Sequence, residues 1–133
     1  MNNTEFKTII MGVEYTVKLC TPKEQPKFTS LSATGLCEPY EKALYINIEG
    51  SEDEDAFEKV HLYYLQVLRH EMVHAMFFEC GLTDYMRDET LVEALACVYP
   101  KAMIDFGKAG FELTKLMVYG DDLQEQGQEN SRP

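Results

Sequence analysis

Between Phe57 and Phe78 the chain carries neither glycine nor proline, and apolar side chains recur on almost every face of the helix this stretch should form: Val60, Leu62, Leu65, Leu68, Met72, Val73, Met76 and Phe77. A helix apolar nearly all round is a buried one. Inside it stands Arg69-His70-Glu71-Met72-Val73-His74-Ala75. Two imidazoles and a carboxylate are thereby carried into the interior, where each costs free energy unless it finds a partner. At about 100° per residue, His70 and His74 lie about 40° apart round the axis and ~6 Å apart along it, a spacing at which both rings close on one metal ion. Glu71 points about 60° round from His74, beside such an ion and within reach of a water on it. Zinc lowers the pKa of its water to about 7, and a nearby carboxylate can take that proton and return it to a leaving amine. The five-residue pattern arises by chance about once in several hundred chains of this length. Its setting, with two of only three histidines at ligand spacing on an apolar helix, weighs against surface histidines on an exposed side.

A catalytic zinc usually takes three protein ligands and keeps one open position. Asp88-Glu89-Thr90-Leu91-Val92-Glu93 places two glutamates four residues apart on one face of the next helix, and geometry alone allows either to bind. Two solvated acids in a first helical turn are the plain alternative. Here the sequence resembles the gluzincins, whose second helix carries an Asn-Glu-x-x-x-Asp-like pattern. That resemblance implies Glu89 as third ligand and Glu93 as the acid that holds a histidine ring in orientation and tautomer, with Asp88 replacing the Asn and Glu93 the Asp.

The resemblance spans roughly residues 35 to 100 and is nearest to small metallopeptidase-like proteins of phages and prophages. Gly35-Leu-Cys, Leu44-Tyr-Ile-Asn-Ile48, His-Glu-Met-Val-His-Ala and Glu-Thr-Leu-Val-Glu-Ala-Leu-Ala follow their order of parts. More distantly, it resembles the metalloproteases that cleave phage repressors. In such families the strand before the zinc helix borders the cleft, which implies that residues 44–48 accept an extended peptide by strand addition; an ordinary buried or solvent-edge strand is the alternative.

Around this centre the chain reads as an α+β domain, a small N-terminal antiparallel or mixed sheet packed on a zincin-like helical core. Val13-Glu-Tyr-Thr-Val-Lys-Leu19 alternates apolar and polar, and Gly12 breaks it from the residues before, which predicts a hairpin. Residues 21–42, with Pro22, Pro26, Gly35 and Pro39, predict a loop or short irregular strands, and Ala43 to Ile48 one strand. Ser51-Glu-Asp-Glu54 has the form of a capping box opening the long helix, and Cys80-Gly81 closes it. A helix from Arg87-Asp88 through Val98 follows, with Pro100 kinking it or opening the next turn, and a short helix from Phe111 to Tyr119. One domain over residues 1–120 is expected, then a polar tail, 121–133, with Leu123 as its only large apolar residue and too little to bury to order itself.

A net charge of -11 without any Lys/Arg cluster excludes a phosphate-backbone partner, which needs basic groups to displace counterions. No basic leader and no run of ~20 apolar residues is present, so a cytoplasmic protein with no membrane partner is expected. Cys20, Cys37, Cys80 and Cys97 form no C-x-x-C pair and read as reduced, mostly buried thiols. His61 falls on the side of the helix opposite His70, and Tyr85 is a loop aromatic with a hydroxyl able to face an oxyanion. The reading is zinc-dependent hydrolysis of a protein or peptide substrate with Glu71 as general base. Iron, cobalt and nickel share the ligand set. The alternatives are a non-catalytic zinc scaffold that grips a peptide, in which Glu71 has no use, and a phage regulatory or assembly protein whose motif is coincidental.

Overall fold

The computed structural model describes residues 4–49 and 57–130. It opens on a hairpin, β1 (Glu5–Ile10) and β2 (Val13–Cys20), antiparallel from Ile10↔Val13 back to Glu5↔Lys18. The two turn residues, Met11 and Gly12, have φ of 50° and 81°, the left-handed pair of a type I′ turn whose twist matches the strands it joins. From β2 the chain passes through a single helical turn, α1 (Lys27–Ser30), to β3 (Gly35–Glu38) and β4 (Ala43–Asn47). β4 pairs parallel with β2 and antiparallel with β3, giving a mixed sheet in the order β1-β2-β4-β3. With the helices that follow, this is the expected α+β fold.

The period of two along the central strands decides what each face covers. Tyr15, Val17, Leu44 and Ile46 meet Val67 and Ala75 of α2 (Phe57–Glu79). Ala43 and Tyr45 point the other way, onto Phe28 of α1 and Leu36 of β3. β4 is apolar on both faces because both are covered, and for the same reason it is internal: Leu44 pairs with Val17 on one side and Cys37 on the other. Residues 44–47 therefore have no free edge for a peptide, contrary to the expectation of strand addition there. The free edge on this side belongs to β3.

Beyond α2 come α3 (Thr83–Met86) and α4 (Glu89–Asn130). The chain divides into two compact units, Met1–Cys97 and Val98–Pro133, where the sequence suggests one domain to residue 120. The first unit closes on the opening turns of α4, where Val92 and Ala96 meet Val73, flanked by Phe77 and Leu95. The second is helical to Asn130. It takes in Pro100, the short helix expected at 111–119, and residues 121–130, read from composition as an unstructured tail. Extending an existing helix adds a hydrogen bond per residue without a new nucleus, and this segment's Leu, Gln and Glu residues favour it. All four thiols are free, but Cys80 and Cys97 are exposed rather than buried. The Ser51–Glu54 capping box, residues 131–133 and the side chain of His61 lie outside what is described. Among the described residues no helix is long and apolar enough to cross a membrane.

Candidate metal centre

Three turns of chemistry bring the histidines and glutamates together. α2 ends in a Schellman motif, Gly81 N–H to Phe78 carbonyl at 3.0 Å and Leu82 N–H to Phe77 carbonyl at 2.8 Å, with Gly81 at φ 74°, the left-handed conformation glycine takes without strain. The reversal returns the chain through α3. Asp88 then caps α4, its Oδ1 accepting the Leu91 N–H at 3.1 Å, which fixes where Glu89 and Glu93 emerge.

The two Nε2 atoms of His70 and His74 stand 3.2 Å apart. The Glu89 carboxylate faces both, Oε2 at 2.9 Å from His70 Nε2 and Oε1 at 3.2 Å from His74 Nε2. The outer side of each ring is already held. His70 Nδ1–H donates to Glu93 Oε2 at 2.5 Å, while Gln66 Nε2 donates to Glu93 Oε1 at 2.9 Å; the His74 ring hydrogen-bonds the backbone of Met86. With those protons assigned outward, two nitrogen lone pairs and a carboxylate face one another with no donor among them. A cation resolves that arrangement. Zinc with ligands at 2.0–2.1 Å sets tetrahedral ligand atoms about 3.3 Å apart; here the two Nε2 atoms stand 3.2 Å apart, and one ligand atom from each of His70, His74 and Glu89 lies within 4.8 Å of the others, the 2.9 and 3.2 Å approaches of Glu89 being made by its two different oxygens. His70, His74 and Glu89 could together hold a metal ion such as zinc, with Glu93 behind His70.

Glu71 and His74 are buried, 7% and 8% exposed. Desolvation pushes the Glu71 carboxyl up to about 7, with the His70 ring opposing and Glu89 adding to the rise. Burial draws His74 down. It draws on His70 too, but the Glu93 hydrogen bond and the charge of Glu71, joined by Glu89, carry that ring upward. Glu93 is held low by its bond to His70 and secondarily by Gln66. β3 presses directly on this group. A Cβ on Gly35 would stand 2.7 Å from Val67 Cγ1 and 2.9 Å from both Cγ and Oε1 of Glu71, so only glycine permits the approach.

These residues lie in one cleft of about 920 Å³ whose walls include the chain from Leu31 to Cys37, Tyr40, Tyr63, Phe78 and Arg87. Tyr85 is not among them; its ring packs on Phe77 with centroids 6.0 Å apart and is half exposed. Sequence reasoning missed three contributors. Gln66 was signalled by its place four residues before His70 on the same face. Gly35 was signalled as a glycine within a strand, whereas the Met86 backbone had no side-chain signal at all. Compared with protein-family models, with curated proteins and with solved structures, the chain matches none.

Proposed function

We propose that this chain is a zinc-dependent metallopeptidase. The observation that supports it best is the cluster of His70 Nε2, His74 Nε2 and the Glu89 carboxylate, whose two oxygens stand 2.9 and 3.2 Å from the two nitrogens, beside a carboxylate, Glu71, buried in the same cleft. His70, His74 and Glu89 would hold the ion. A zinc ion there supplies Lewis acidity and brings the pKa of water to about 7. Glu71 accepts the proton of the attacking water and gives it to the departing amine nitrogen. Its packing under Gly35 restricts the carboxylate to one direction, which is what positioned proton transfer needs. Glu93 and the Met86 backbone keep both rings turned inward. The substrate is an extended peptide added to the free edge of β3, whose residues 35–37 border the cleft; Tyr40, Tyr63 and Phe78 offer apolar surface to its side chains.

Metal analysis and cleavage of an unfolded protein substrate test this together. Wild-type protein is expected to hold about one zinc per chain and the His70→Ala, His74→Ala double variant none; equal metal in both, after zinc is offered, refutes the centre. Glu71→Gln is expected to keep metal and melting temperature and to lose hydrolysis. Cleavage at the wild-type rate removes Glu71 from the role. Zinc held firmly by a wild-type protein that cuts nothing supports the peptide-gripping scaffold instead.

A further inference from the structure

Beyond Cys97, helix α4 carries ten large apolar side chains from Val98 to Val118, each 40–78% exposed. Seven of them, all but Val98, Ile104 and Leu116, stand on the side of the helix turned away from its charges; taken at the low end of the roughly 150–250 Å² of a large side chain, these expose on the order of 700 Å², near the about 800 Å² that a specific interface takes from each partner. A monomer seldom leaves so much apolar surface to water.

The arrangement of the surface is informative. At about 100° per residue, the five charged side chains of this stretch, Lys101, Asp105, Lys108, Glu112 and Lys115, fall in one stripe. The face opposite is centred between Phe106 and Gly107 and holds Tyr99, Met103, Gly110 and Met117 within about 30° of its midline. Thr114, its one polar side chain, donates its hydroxyl to the Gly110 carbonyl at 2.8 Å. Gly107 and Gly110 weaken an exposed helix relative to alanine, yet nothing lies within 4 Å of where a Cβ would stand on either. No neighbour among the described residues requires them.

We propose that this face pairs with the same face of a second copy of the chain, the helices antiparallel about a two-fold axis between Phe106 and Gly107. Met103 of each copy then stands level with Gly110 of the other, each within about 10° of the line joining the helices. The two Phe106 rings meet on one flank and the two Gly107 backbones on the other. Met103, nearest the midline, is received by a glycine, Tyr99 stands level with Thr114, and the contact is self-complementary, as a two-fold interface must be. The five charges stand on the stripe turned to solvent, so the pairing buries none of them.

Sedimentation equilibrium of the full chain from about 1 to 100 µM tests this. Twice the chain mass is expected. Met103→Glu places a charge in both glycine-facing layers and is expected to raise the dimer Kd ~30-fold or more, while Lys108→Gln on the solvent stripe leaves it unchanged. Gly110→Leu is expected to raise helix content and thermal stability of the chain while weakening the dimer, a pair of opposite signs that misfolding cannot imitate. A monomer across the whole range, whether or not it binds phosphatidylcholine vesicles, overturns the pairing; so does a dimer that both apolar-face variants leave intact.

Discussion

Replacing Gly35 with alanine is the smallest change that reaches both the fold and the candidate catalytic group. The added Cβ meets Val67 Cγ1 at 2.7 Å and Cγ and Oε1 of Glu71 at 2.9 Å, where unstrained carbon contacts begin near 3.5 Å. One of the partners must give way by most of an ångström. Val67 is 7% exposed, and its branched side chain has one favoured rotamer in a helix, so the movement falls on Glu71 and on the seat of β3. Overpacking of this kind costs about 1–3 kcal/mol, which in a unit of this size lowers Tm by about 5–20 °C. Misplacing a reacting group by that distance costs roughly 100-fold in rate. Thermal melting, zinc content and cleavage rate are the three measurements, and the expected result is a lower Tm and slower cleavage with the metal retained, since the atoms nearest the added Cβ belong to Val67 and Glu71 rather than to His70, His74 or Glu89. Gly35 is not in the left-handed region, so alanine there otherwise stabilises by about 0.4–1 kcal/mol through the unfolded chain. A variant that melts at or above the wild-type temperature would refute the claim that β3 rests on Glu71.

Glu89→Ala should abolish stable zinc binding, because Glu89 faces both Nε2 atoms, whereas Glu93→Ala should weaken it about 10- to 100-fold through the loosened His70 ring; competition with a chromogenic chelator distinguishes them, and the reverse order would exchange the roles. Burial, with the Glu71 charge second, pushes the Cys37 thiol up to about 12, so roughly one in 10,000 is ionised at pH 8 and iodoacetamide should modify the exposed Cys80 far sooner; equal labelling would contradict the packing of β3. Glu79 is held below the usual carboxylate range, first by its hydrogen bond to Lys42 and then by that from the Tyr15 hydroxyl. Its contribution is complete above the unfolded pKa near 4.3 and is lost as pH falls through the lowered folded value; urea midpoints should therefore drop less between pH 6 and pH 3 in Glu79→Gln than in wild type, and parallel curves would show the pairing to be without effect.

Much of the fold was legible wherever a pattern and its cause were local. The Gly12 break lies where a two-residue turn needs positive φ, and the glycine-free apolar run from Phe57 gave α2. What was not legible depended on neighbours. α1 and β3, four residues each, are too short to show a period, and they stand where Pro22, Pro26, Gly35 and Pro39 suggest a loop or short irregular strands, which admits β3 but not α1. The run from Ala43 to Ile46 shows its internal place in hindsight: four buried residues in succession mean that both faces are covered, and a strand covered on both faces here also has both edges paired. A cleft-bordering edge was the wrong inference from the right strand. The length of α4 escaped for a different reason, since composition at 121–130 speaks to burial and not to whether a helix already begun continues.

The site shows the same division more sharply. Spacing alone places His70 and His74 toward one point and leaves Glu71 beside it, since one helix fixes all three. It leaves Glu89 and Glu93 equivalent, because residues four apart on one helix share a face and only a second helix can distinguish them. The packing of Val92 and Ala96 on Val73 does so. It sets α4 at a height where Glu89 reaches both inner nitrogens, while Glu93, one turn on, meets the outer nitrogen of His70 and Gln66 one turn before it on α2. Three apolar residues with no chemistry of their own therefore decide which acid faces the two inner nitrogens. Enlarging Ala96, 1% exposed, would tilt that choice without touching any polar group.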